Sequence, residues 1–143
     1  MTKTSASSEK FVPENDLEEN LLSAQRGSLA INDFILSLLQ NNLFIPSSTP
    51  VDDGMASLTP LLYESNGKKF LAIFTALNRA KVIRSKAKYC LKIKGKELFL
   101  RMPSEYGIVV NPGYRAGLEI SASTTLDIKI KCSGNLQAVR KNQ

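Results

Sequence analysis

Lys88, Lys92 and Lys94 are the residues whose type and spacing most plainly could do chemistry. Between Lys86 and Lys96, the lysines Lys86, Lys88, Lys92, Lys94 and Lys96 take the even positions, while Ala87, Tyr89, Leu91 and Ile93 take the odd ones. A period of two describes a strand with one apolar face and one lysine-lined face. It places Tyr89 in the core and leaves Cys90 as the one interruption of the basic face. Lysines two positions apart on a strand lie about 7 Å from one another. That is inside the Debye length of about 8 Å at physiological salt, so the charges act partly together. The chemistry available is recognition of an acidic surface, either a protein or a polynucleotide. The simpler reading is that lysines keep an edge strand soluble and block pairing with another edge.

A second group follows the apolar run Gly107-Ile108-Val109-Val110. Asn111-Pro112-Gly113 stops that run as a turn, because Pro donates no N–H and Gly tolerates positive φ. The functional reading is a rigid loop beside a groove. Tyr114 and Arg115 come directly after it, and both are side chains that commonly anchor interfaces. Phe74-Thr75 reads as a buried Phe followed by a helix cap. Glu18 and Glu19 read as the acidic first turn of a helix. Cys90 could serve as a thiol among lysines, but nothing in the sequence marks it as exposed.

What is missing narrows the chemistry further. The chain has no His, which removes the Ser–His and Cys–His dyads and the commonest metal ligand. Two cysteines, Cys90 and Cys132, do not complete a four-ligand zinc site unaided. No cofactor, metal or catalytic residue is expected, and the chain is not expected to be an enzyme. Nucleic acid is the less favoured partner, since aromatics are only 7% of the chain and Tyr89 is assigned to the core.

At 143 residues, 43% of them hydrophobic and 22% charged, the chain has the makings of one ordinary domain. Its net charge of +6 is unevenly spread. Residues 1–53 carry three Lys or Arg against eight Asp or Glu, and residues 54–143 carry sixteen against five. Polar faces of opposite sign follow. No apolar stretch is long enough to cross a bilayer. The polar N-terminus lacks the apolar segment of a signal peptide, so a cytoplasmic location is expected.

The elements that would position these residues can be taken in order. Residues 1–12 are expected to be disordered, and the domain to span 13–132. Asn15 caps a helix, with Glu18 as the reciprocal partner of a capping box. Leu17, Leu21 and Ala24 recur at helical spacing, and Gly27 ends the helix. A second helix over about 30–40 shows a core-facing stripe of Ile31, Phe34, Ile35, Leu38 and Leu39. Leu43-Phe44-Ile45-Pro46 is a short strand. Leu58–Tyr63 and Lys69–Phe74 form a hairpin through Asn66-Gly67. Thr75 caps a short helix running to about Val82. The lysine strand ends at Gly95, and one or two helical turns occupy Glu97–Met102. Residues 107–111 form a central strand buried on both faces, and 117–121 return beside it. Leu126, Ile128, Ile130 and Cys132 alternate with Asp127, Lys129 and Lys131, which predicts a last strand. Residues 133–143 are expected to be a flexible tail. The sum is an α+β fold, a single domain with an N-terminal helix pair packed on a mixed or antiparallel sheet.

In this order the pieces resemble the SseB family, and in particular its N-terminal type of domain. The resemblance rests on Asn15-Asp16-Leu17-Glu18-Glu19, Phe34, Leu38-Leu39, Phe44-Ile45-Pro46, Leu61-Leu62, Gly67, Phe70-Leu71-Ala72-Ile73-Phe74-Thr75, Tyr89, Leu98, Gly107 to Gly113 and Glu119-Ile120. It covers about 14–121. It implies a bacterial, cytosolic α+β protein without an assigned catalytic activity. The function expected is a protein-interaction domain, regulatory or partner-neutralising in an immunity-like way, with an acidic protein as partner. The alternative is a polyanion binder acting through 86–96. The resemblance also implies that the domain closes with a helix after Ser121, where the alternation reads as a strand. No counterpart of the second domain of longer members follows in the sequence, so functions placed there are not expected here.

Overall fold

Asn15 starts the first helix as its side chain demands. In the computed structural model, which describes residues 11–141 with side chains as far as Ser133, its Oδ1 accepts the Glu18 N–H at 2.8 Å. The helix, α1 (Asp16–Gln25), buries Leu17 and Leu21. Gly27, at φ +83°, ends it, with Ser28 N–H donating back to Ser23 O. Helix α2 (Ile31–Gln40) buries Phe34, Ile35 and Leu38. Ile31, assigned to that stripe, is exposed instead. It opens the helix, one turn short of the packed face.

Strand β1 (Asn42–Ser47) follows at once. Then come β2 (Leu62–Ser65) and β3 (Lys68–Ile73), β4 (Tyr89–Lys94), helix α3 (Gly95–Arg101), β5 (Gly107–Val110), β6 (Leu118–Ile120) and helix α4 (Ala122–Lys141). The strands make a two-stranded antiparallel sheet, β1–β4, and a four-stranded mixed sheet in the order β2-β3-β5-β6. Phe44 on β1 bridges the two sheets by exchanging both backbone hydrogen bonds with Phe74 at the end of β3. The β2–β3 hairpin turns through Asn66 and Gly67, both at positive φ. Leu58–Leu61, expected as part of β2, lies outside the strand.

β5 is the central strand, parallel to β3 and antiparallel to β6. Gly107, Ile108 and Val110 are buried. The helices form a continuous layer, α1 on α2, α2 on α3, α3 on α4, and α4 on β5. Gly95, where β4 becomes α3, lies so close to α2 that a Cβ would meet Leu38 O at 1.8 Å. The fold is therefore α+β.

Further expectations are corrected. The stretch 126–132 is helix, not strand. Ser121 Oγ accepts the Thr124 N–H and Ser121 O accepts the Thr125 N–H, which starts α4. Thr125, Ile128 and Cys132 then face inward at helical spacing, leaving Leu126 and Ile130 in solvent. Backbone helix continues through 133–141 of the expected tail 133–143, whose last two residues lie outside those described. Thr75 is not a helix cap. Leu77–Ile83 is a 3-10 segment that begins after Ala76 without a side-chain capping bond. Tyr89, assigned to the core, is 41% exposed at the start of β4. Of the N-terminal residues expected to be disordered, 1–10 lie outside those described, while Phe11 packs against Tyr114.

Candidate functional site

The carboxyl ends of the parallel strands β3 and β5 lead into Phe74-Thr75 and Asn111-Pro112. α1 crosses beside them, and the four polar residues that meet there are Glu18, Thr75, Arg79 and Asn111. Arg79 holds Glu18 at two points, Nε to Oε2 at 3.0 Å and Nη2 to Oε1 at 2.8 Å. Thr75 Oγ1 donates to the same carboxylate at 2.5 Å and accepts from Asn111 Nδ2 at 2.9 Å. Asn111 Oδ1 takes the Thr75 N–H at 3.0 Å. The Glu14 N–H supplies one more donor to Glu18, at 2.9 Å. Glu18 is 0% exposed, so burial pushes its carboxyl up. Hydrogen bonds from Arg79, Thr75 and the Glu14 N–H outweigh that and hold its pKa below the ordinary 4.5.

Local structure aims each group. Asn15 fixes α1 by capping it and by donating to Thr75 O at 3.1 Å. At the other end of α1, Gln25 Nε2 donates to Arg115 O and Gly117 O. Asn111 adopts φ +54°, a left-handed conformation that Asn tolerates better than most residues. This turn aims its amide back at Thr75. Glu18 is therefore not the reciprocal arm of a capping box. Its carboxylate turns inward to Arg79 and takes the N–H of Glu14, not that of Asn15.

Arg79 is enclosed from outside as well. Its guanidinium lies 4.0 Å from the centroid of Phe11 and 5.4 Å from that of Tyr114, both within cation–π range. Tyr114 donates its hydroxyl to Arg79 O at 3.0 Å and meets Phe74 edge-on. Arg79 was not singled out by its sequence. It lies in the stretch expected as a short helix after Thr75, one turn along from it, where a lone Arg has a sufficient reading as a surface charge.

The residues expected at the site fall in two places. Tyr114 belongs to the Arg79 cluster, half-buried. Arg115 is exposed beside it. Lys92 and Lys94 share the outer face of β4, opposite Phe44 and Asn42 of β1, and the other edge of β4 pairs with no strand among the described residues. Lys88 precedes β4 and lines a cleft of about 170 Å³ with Lys81, Arg84, Tyr89 and Cys90. Burial pushes the Cys90 thiol up to about 11, so it is protonated at neutral pH and is a poor nucleophile. Cys90 and Cys132 are both free thiols.

A hydroxyl on a carboxylate, as in Thr75–Glu18, has the outline of a nucleophile with its base. Two features oppose that role. Thr75 is buried, and a carboxylate saturated by Arg79 is a weak proton acceptor. Among the described residues, every buried side-chain nitrogen and oxygen has a hydrogen-bond partner. The arrangement is an α+β domain keyed at its strand ends by a closed ionic cluster. The sequence model of the SseB protein N-terminal domain matches residues 17–124, and the chain belongs to the SseB family. No curated protein and no solved structure matches it. Among the described residues no helix is long and apolar enough to cross a membrane.

Proposed function

We propose that the chain is a non-catalytic protein-interaction domain of the bacterial cytoplasm, regulatory or partner-neutralising, that docks an acidic protein surface. The observation that carries this reading is the division of polar groups. The cluster of Glu18, Thr75, Arg79 and Asn111 is bonded within itself, while among the described residues Lys92 and Lys94 form no ion pair and lie on a strand with one edge unpaired. Unspent charge on a rigid strand steers encounters with the opposite sign. The test replaces Lys88, Lys92 and Lys94 together with Gln and measures association with the captured partner at two ionic strengths. The docking reading expects slower association and a flatter salt dependence with the fold intact. Identical rates and slopes overturn it. Turnover in a hydrolase and transferase screen that vanishes on one point substitution overturns the non-catalytic part.

One observation favours the polyanion alternative. Tyr89 is exposed beside Lys88, with Lys81 and Arg84 on the same cleft, which joins a stacking surface to positive charge. Titration with a labelled single-stranded oligonucleotide tests it. Saturable, salt-sensitive binding that Tyr89→Ala weakens supports this reading, and its absence excludes it.

A further inference from the structure

The residues just before α1 are held by contacts that any extended peptide of the same chemistry could make. Phe11 stacks on the Arg79 guanidinium and meets Tyr114 edge-on, centroids 5.9 Å apart. Val12 gives its carbonyl to Arg79 Nη2 at 2.6 Å. Glu14 accepts from Asn78 Nδ2 at 3.0 Å and stands 3.8 Å from Arg79 Nη2. Residues 11–14 belong to no helix or strand, and the side chain of Val12 points into water. One ring, one carbonyl, one carboxylate and the Glu14 N–H, which donates to Glu18 Oε1 at 2.9 Å, fasten this strap.

Most of what fixes the platform beneath it lies outside the strap. Glu18 holds Arg79 from the inner side, and Tyr114 is set by its bond to Arg79 O and by Phe74. A pre-organised Arg and Tyr surface loses little freedom on binding. Its net charge is small because Glu18 neutralises Arg79, so it selects by shape and hydrogen bonding more than by charge alone. Arg79 meets both the carbonyl and the aromatic face, Tyr114 flanks the ring edge-on, and Asn78 donates to the carboxylate.

From this juxtaposition we infer that Arg79, Asn78 and Tyr114 form a peptide-recognition site that Phe11–Glu14 occupies in cis. Its partner is an extended protein segment with an aromatic residue and, three positions later, an acidic one. The inference rests on the interaction role proposed above and adds a second, self-covered surface to the lysine face. A tethered strap competes at high effective concentration. A partner therefore binds with its intrinsic affinity reduced by the fraction of molecules whose strap is open.

The experiment uses the full chain, as wild type and as Phe11→Ala, which loosens the strap at a half-buried surface position. The probe is a fluorescein-labelled, N-acetylated Phe-Val-Pro-Glu peptide, followed by fluorescence anisotropy. The expected result is saturable binding to Phe11→Ala, at least about tenfold tighter than to wild type. Adding Asn78→Ala should weaken binding about fivefold, and a peptide with Gln for Glu should lose less on the Asn78→Ala background than on Phe11→Ala alone, because there only the contact with Arg79 Nη2 remains to be lost. Absence of saturable binding to folded Phe11→Ala overturns the inference, as does equal affinity for wild type and Phe11→Ala. Failure here, with lysine-dependent association of a partner intact, removes the strap site alone and leaves the docking reading standing.

Discussion

Glu18 on α1 and Arg79 in the 3-10 segment after β3 form a two-point ion pair, at 2.8 and 3.0 Å, with both side chains withdrawn from water. Removing one partner leaves the other charge buried without compensation, and such losses cost about 3–5 kcal/mol. Glu18→Gln keeps the shape and removes the charge. A loss of about 3 kcal/mol in urea unfolding is expected. A loss under about 1 kcal/mol would mean the pair is not closed in solution.

The same carboxylate sets an acid limit. Its native pKa lies below the ordinary 4.5 because bonds from Arg79, Thr75 and the Glu14 N–H outweigh the effect of burial. The unfolded chain then binds a proton at higher pH than the native one, so stability falls as pH falls. The contribution is whole above about 4.5 and disappears as pH drops through the lowered native pKa. Urea midpoints at pH 7, 4.5 and 3 should diverge from those of Glu18→Gln at the upper two values and approach them at the lowest. Parallel curves throughout would contradict this.

Asn111 contributes through its backbone and through its amide. Asn111→Gly keeps φ +54° accessible but leaves the buried Thr75 N–H without its acceptor, a cost of about 1–3 kcal/mol. Asn111→Ala adds left-handed strain of about 1 kcal/mol. The order wild type, Gly, Ala in thermal melts checks both. Alanine as stable as glycine would remove the backbone part.

Gly95→Ala tests the junction of β4 with α3. A methyl 1.8 Å from Leu38 O cannot be placed without moving α2, and overpacking a rigid contact costs about 1–3 kcal/mol or more. A loss of about 3 kcal/mol or failure to fold is expected. A neutral result would mean that α2 and α3 slide freely.

The fold was readable wherever one residue decides one local conformation. Asn15 caps, Gly27 stops, Asn66-Gly67 turns, and the Lys92/Lys94 alternation marks the exposed face of β4. Alternation failed at 126–132 because a sequence with every second residue apolar also puts Ile128 and Cys132 on one helical face. There the deciding signal was Ser121, whose hydroxyl starts the helix. The cluster was hidden for a different reason. Glu18 sits where a capping box puts its Glu, Thr75 where a cap would be, and Asn111 in a turn triplet. Each has a sufficient local explanation, and only the fold shows that the three share one carboxylate-centred network with Arg79.

That network also joins parts of the chain that are far apart in sequence. Its bonds link positions separated by 57, 61 and 36 residues. Such contacts reward the chain only after the loops between them have closed. The hairpin and the two N-terminal helices can assemble before any of these bonds exists. The cluster is then a late step, and its strength governs how long the native state lasts more than how fast it forms. Thr75→Val should speed unfolding and leave the refolding limb of the chevron almost unmoved. A slowed refolding limb would place the cluster in the nucleus instead. The lifetime of the folded domain is the property such a late lock protects.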